Sequence, residues 1–132
     1  MHMLKFNSVD TTMRLADEFN ERQRFLKIVS DKESGMTKEA ASAIAFVADE
    51  QTAGRGQREN TWKSPKSNNL YVTYLMRVKH MPFTAPQVAA LAVAETCNSY
   101  LKDGDKKVGL KWINDVFYGD KKIAGMLCQS SI

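Results

Sequence analysis

Histidine and cysteine are both scarce in this chain, with two of each among 132 residues. His2 and His80 have no partner at ligand spacing, and no metal-type interval separates Cys97 from Cys128. The sequence therefore encodes no recognisable zinc site, redox Cys pair or histidine-containing nucleophile triad. Each cysteine lies within an apolar segment and is expected to be a buried thiol. Long apolar runs are missing as well. None approaches the roughly 20 residues needed to cross a bilayer, and the N-terminus lacks a signal-type apolar core. A soluble, cytoplasmic protein with no membrane partner is the expectation. No internal repeat, P-loop or dinucleotide fingerprint is present. Charge of one sign is not abundant: a net +4 and a pI near 9.1 suit ATP, nucleic acid or an acidic protein equally. Charge alone ranks no partner.

What the chain does contain is an ordinary globular composition, 43% apolar with 26% charged, in a length that suits one domain. Residues 4–7 alternate as a short strand, and Asp10, Thr11 and Thr12 offer caps for a helix with Leu15, Ala16 and Phe19 on one face. Residues 26–30 read as a second strand and 31–38, with Gly35, as a polar loop. The unbroken apolar run at 43–49 suits a strand buried on both faces, and 69–77 is a further strand rich in Tyr, Val and Thr. Thr84, Pro86 and Gln87 form a capping box for a helix to about residue 102, its stripe being Ala90, Val93, Ala94, Cys97 and Leu101. Residues 108–112 form a strand, and 116–118 with 123–129 form a hairpin turning at Gly119 and Asp120. The sum is an α+β fold, a mixed β-sheet flanked by helices. With a strand so close to Ile132, one edge is left without a cover, so the chain reads as incomplete at its C-terminus.

Two stretches carry chemistry. Residues 54–62 form a cationic loop in which Gly54 and Gly56 let backbone N–H groups approach an anion. Arg55 and Arg58 there offer planar forks for phosphate or carboxylate, and Trp62 packs on a nucleobase or pins the loop. About fifty positions on, Lys111, Trp112, Asn114 and Asp115 close an apolar run. Lys111 and Trp112 also fit a solvated lysine and a core aromatic, and Asn114 fits a turn. Lys121 and Lys122 must point to opposite strand faces, so one is turned inward, where a lysine requires an anion. Gly125 leaves the backbone open to a ligand three positions later. These features together describe a nucleotide pocket in which a second small anion reacts: carboxylate activation by ATP.

Five collinear blocks then carry a resemblance. They are Gln51-Thr52-Ala53-Gly54-Arg55-Gly56, Trp62-Lys63-Ser64-Pro65, Asn69-Leu70-Tyr71, Lys111-Trp112-Ile113-Asn114-Asp115 and Lys122-Ile123-Ala124-Gly125-Met126-Leu127. In order and spacing they resemble biotin protein ligases, and Thr11-Thr12-Met13 resembles that family's signature at the first helix. The resemblance covers essentially all of residues 1–132, taken as the first two thirds of a catalytic core, with neither winged helix nor C-terminal barrel. It implies a fold related to class II aminoacyl-tRNA synthetases and lipoate ligases. It also implies a reaction: biotin attacks the α-phosphorus of ATP with Mg2+ present, and a lysine on a biotin carboxyl carrier protein or carboxylase biotin domain takes biotin from the adenylate.

Opposing two like charges at about 4 Å costs about 4 kcal/mol at an effective dielectric near 20, so fixed cations are the remedy. By motif, Arg55 and Lys122 supply them. Thr11, Thr12, Gln51, Gly54 and Gly125 are the further biotin contacts, and Gln57, Arg58, Trp62, Lys111 and Asn114 lie toward the nucleotide. Asp115 orients Lys122, binds Mg2+ or deprotonates the acceptor lysine. Gln57 stands where the family usually has an arginine, Glu59 where it has glycine and Ile113 where it has proline. A lipoate- or octanoate-type ligase is the alternative within enzymes. Outside them it is a non-catalytic biotin-binding remnant, a homodimer through its exposed strand edge. No DNA-binding role is expected.

Overall fold

The computed structural model describes residues 2–30, 43–66, 69–76 and 83–130. The polar loop expected at 31–38 lies outside the described residues. Two compact units are formed, Met1–Arg77 and Val78–Ile132.

In the first unit, β1 (His2–Phe6) is followed by α1 (Thr12–Ser30), β2 (Ala43–Ala48) and β3 (Tyr71–Met76). The sheet order is β1-β2-β3, with β1 parallel and β3 antiparallel to β2. A parallel pair requires a crossover, and α1 supplies it. The helix packs on the sheet through buried Ala16 and through Phe19, whose ring meets Phe46 edge-on at 5.7 Å. Successive residues Ala45 and Phe46 are both buried, so β2 is covered on both faces as its apolar run predicts. The strand expected at 26–30 is instead the end of α1. No glycine or proline interrupts residues 12–30, so the helix propagates through Ile28 and Val29 despite their β-branching.

In the second unit, α2 (Ala85–Ser99) precedes an antiparallel meander of β4 (Val108–Lys111), β5 (Asp115–Tyr118) and β6 (Lys121–Gly125). The expected stripe is the buried one. Ala90 and Ala94 pack with Val108 and Val116, and Val93, Cys97 and Leu101 lie against them. The Thr84 hydroxyl makes no capping bond, and the helix stops at Ser99 rather than near 102. Asn98 binds the backbone of Val108 twice, donating to its carbonyl at 3.0 Å and accepting from its N–H at 2.8 Å. This seats β4 on the helix. Asn98→Ala leaves both Val108 groups unpaired, and a loss of about 1–3 kcal/mol in a denaturant titration is expected.

The meander turns at Gly119, whose φ of 62° is the left-handed conformation such a hairpin needs. β6 ends at Gly125, short of residue 129, so Cys128 lies beyond the sheet and is exposed, contrary to the buried thiol expected. Partial desolvation still raises its pKa, which disfavours the thiolate. The α+β class stands. Its strands form two three-stranded sheets, of which the first alone is mixed, because β4, β5 and β6 pair only with one another among the described residues.

Candidate functional site

The parallel register aligns Phe6 with Ala48, so the chain leaves β1 and β2 at the same edge. Such C-terminal strand ends are where open sheets of this kind bind ligands. Val9 continues the pairing with Gln51, and Thr52 and Ala53 donate backbone bonds to Val9 and Asp10. That register brings the start of α1 onto the start of the glycine loop. Thr11 caps the helix by accepting from Met13 N–H at 3.0 Å. Asp10 binds Arg14 and the Thr11 N–H, in that order of strength, which holds its carboxyl below the usual carboxylate range.

Thr12 donates to Gln51 Oε1 from its N–H at 2.9 Å and its hydroxyl at 3.1 Å, and its hydroxyl meets that of Thr73 at 2.8 Å. Gln51 Nε2 donates to Ser64 at 3.1 Å, and Ser64 donates to the Trp62 carbonyl at 3.1 Å. Thr11, Thr12 and Ser64 are buried. Tyr71, also buried, donates to the Pro65 carbonyl at 2.9 Å and accepts from Asn69 at 3.0 Å. The conspicuous blocks around Trp62 and Tyr71 are thus a brace for the loop.

The loop itself is a narrow return, with Arg55 bridged to Thr61, Gly56 N–H bound to the Asn60 carbonyl, and Arg58 at its tip with φ 58°. It encloses a half-open pocket of about 370 Å³ lined by Ala53, Gly54, Arg55 and residues 58–61. Exposed Gln57 and half-buried Trp62 stand outside that lining. Gly54 joins pocket to polar cluster: a Cβ there would sit 2.4 Å from the Trp62 carbonyl oxygen, 2.6 Å from Ser64 Oγ and 3.3 Å from Gln51 Nε2. Left-handed backbone at Arg58 costs roughly 1–2 kcal/mol, which glycine would relieve while adding about 0.5–1 kcal/mol of chain entropy loss. Arg58→Gly is therefore expected to leave the melting temperature nearly unchanged while weakening the pocket's hold on a polyphosphate probe roughly tenfold by calorimetry.

In the second unit, Lys111, Asp115, Phe117, Lys122 and Gly125 share the sheet face opposite α2. A β-bulge produces this. Phe117 pairs with Lys122 and Val116 with Ala124, so Ile123 is the extra residue. Three positions apart, Lys122 and Gly125 would otherwise face opposite sides. Lys122 Nζ reaches Asp115 Oδ1 at 2.7 Å, and a Cβ on Gly125 would meet Lys122 Nζ at 3.2 Å and Asp115 at 3.4 Å. Neither lysine of the pair 121–122 is buried. Lys122 keeps 34% of its side chain exposed, so the inward lysine is corrected to a half-exposed one, and the anion facing it is the Asp115 carboxylate.

Lys111 lies over the Phe117 ring at 5.2 Å. Asn114 is buried and fastened to Met126 through its amide and its backbone carbonyl, which favours the structural side of its reading. Trp112 is not a core aromatic: β4 ends at Lys111, and Trp112 is 79% exposed. Thr73, Ser64 and Asn98 were given no role by sequence. Ser64 sits within one of the five collinear blocks, but single threonines and asparagines in a strand or helix give no local signal of their long-range partners.

The profile of the Biotin/lipoate A/B protein ligase family matches residues 9–132. The bifunctional ligase/repressor BirA of Escherichia coli is 35% identical over 91 residues, which are 69% of this chain and 28% of that protein. The biotin–protein ligase of Homo sapiens is 30% identical over 129 residues, 92% of this chain and 16% of that one. Among solved structures, the Aquifex aeolicus biotin protein ligase in complex with biotin and ATP matches with a TM-score of 0.68 at 27% identity. That match covers 98% of this chain and 47% of the other. The Leishmania major biotin protein ligase in complex with biotinyl-5-AMP gives a TM-score of 0.63 at 29% identity, with 98% and 52% covered. The chain thus spans less than a third of the E. coli protein and about half of these solved ones. With a family profile matched over nearly its whole length, the chain belongs to the biotin/lipoate A/B protein ligase family.

Proposed function

We propose that this chain is the biotin- and nucleotide-binding portion of a biotin protein ligase. In this reading the biotin carboxylate attacks the α-phosphorus of MgATP. The new bond is an acyl phosphate, pyrophosphate leaves, and a lysine amine of a carboxylase biotin domain then displaces AMP. The ligases of A. aeolicus and L. major, with biotin and ATP or biotinyl-5-AMP bound, support it.

The observation that carries the reading is the seam at Gly54. On one side lies a hydrogen-bonding cluster of Thr12, Gln51, Ser64 and Thr73; on the other lies a pocket lined by Arg55 and Arg58. That arrangement suits a ligand with a polar ring at one end and an anion at the other. A lipoate-type ligand, apolar beyond its carboxylate, would leave the cluster only its bracing role. By their match to the family's motifs, Arg55 and Lys122 are each proposed to supply a cation to the reaction. Of the three roles open to Asp115, its 2.7 Å bond favours orienting Lys122. No group of three His, Cys, Asp or Glu able to cage a metal occurs among the described residues. Mg2+ is proposed to enter with ATP, held through phosphate oxygens, since it commonly takes no more than one or two protein carboxylates.

Calorimetric titration with biotin, with and without MgATP, alongside a pyrophosphate-release assay tests the proposal. Biotin binding that strengthens with MgATP and releases pyrophosphate is expected. Binding of lipoate but not biotin would move the chain to the other branch of the family, and biotin binding with no pyrophosphate would make it a remnant. Gln57 supplies no charge where the family usually has arginine. Gln57→Arg is expected to slow dissociation of biotinyl-AMP roughly tenfold through an added charge-assisted bond; equal off-rates would refute this.

A further inference from the structure

The hydrogen bonds around Gln51 run one way. A backbone N–H can only donate, so the atom of Gln51 facing Thr12 N–H at 2.9 Å is its oxygen. The Thr12 hydroxyl has a single proton, and it goes to that same oxygen at 3.1 Å. With that assignment Thr73, whose Oγ1 lies 2.8 Å from that of Thr12, is the donor of their pair. At the far end the Gln51 amide nitrogen donates to Ser64, whose own proton goes to the Trp62 carbonyl. The order is Thr73 to Thr12 to Gln51 to Ser64 to Trp62, with every proton assigned. Gln51 Oε1 has then accepted twice, and what the amide has left to offer is one N–H.

We propose that Thr73 is a positioning residue for the ligand site. By donating to the buried Thr12 hydroxyl from β3, it commits the Thr12 proton to Gln51 and reinforces the orientation that the Thr12 N–H sets, leaving a donor, not an acceptor, of Gln51 for the ligand. The specificity follows: the group that meets Gln51 must accept a hydrogen bond, as a urea carbonyl does and a guanidinium cannot. This deepens the biotin reading given above and rests on it for the identity of the ligand. Thr73 lies on a sheet strand, 61 residues from Thr12, outside the blocks that carry the family resemblance.

The test compares Thr73→Val, which keeps the shape and removes the donor, with Thr73→Ser, which restores it. The probes are biotin and its guanidinium analogue 2-iminobiotin, protonated at neutral pH. The wild-type chain is expected to prefer biotin. In Thr73→Val, biotin affinity falls about fivefold to tenfold, the preference narrows and the effect falls on KM with kcat kept; Thr73→Ser stays near wild type. A second measurement needs no ligand: the side-chain amide resonances of Gln51 in a 15N-labelled sample move in Thr73→Val and return in Thr73→Ser. Unmoved resonances, or wild-type biotin affinity and preference in Thr73→Val, overturn the assignment. A wild-type chain that binds no biotin defeats the ligand reading alone, and the resonances then decide the role of Thr73.

Discussion

Gly54→Ala is expected to disable the first unit's site more completely than any charge change there. The added methyl would sit 2.4 Å from the Trp62 carbonyl oxygen and 2.6 Å from Ser64 Oγ. A serine hydroxyl could turn away, but a carbonyl in the backbone of a braced segment cannot. Trp62 N–H is bonded to the Gly54 carbonyl at 2.8 Å, so relief means breaking the pairing that forms the loop. Overpacking of this kind costs about 1–3 kcal/mol, or roughly 4–11 °C in a thermal melt of a chain this size. Because the same methyl crowds Gln51 Nε2 and the wall of the arginine pocket, the biotin and ATP binding of the proposed reading should both be lost by calorimetry. Gly109→Ala is the control, since a Cβ there meets nothing within 4 Å. If Gly54→Ala melts and binds as the wild type does, the seam is not the organising feature of the site.

Lys122→Met should separate binding from chemistry in the opposite sense. Lys122 and Asp115 are 34% and 23% exposed, and a pair so open to water stabilises the fold by about 0–1 kcal/mol at most. The melt should therefore barely move. On the proposed reading the ammonium stabilises charge where carboxylate meets phosphate, and loss of one such group costs about 10²–10³ in rate. Pyrophosphate release should fall by that factor, with a smaller loss of biotin affinity. Asp115→Asn keeps the shape and weakens the tether, so roughly a tenfold loss is expected, since the cation remains but is less well placed. Gly125→Ala, which would press on Lys122 Cε at 3.1 Å, should resemble Asp115→Asn because the flexible end of lysine yields. Full pyrophosphate release by Lys122→Met would remove this residue from the reaction.

Much of this was legible in the chain. The stripe of α2 is a period that local sequence states outright, and the same residues are the buried ones. The double-sided burial of β2 follows from an apolar run too short to be a helix. Residues 26–30 resemble a strand because Ile28 and Val29 favour strands by themselves, whereas an established helix extends at little cost until a breaker stops it. Trp112, for which a core position was one of the open readings, is exposed because the strand ends one residue earlier and turns it outward.

By itself the sequence determined which residue types are available and in what order: glycines that admit a close backbone, arginines that fork toward anions, and a lysine three places before Gly125. Those choices depend on short-range chemistry and read directly from neighbouring positions. Only tertiary structure decided which of them meet. The parallel register of β1 and β2 sets Thr12 on Gln51 across 39 residues, and one extra residue at Ile123 turns Lys122 and Gly125 to the same side. Strand pairing and a bulge are properties of two segments at once, so no single stretch of the chain contains them.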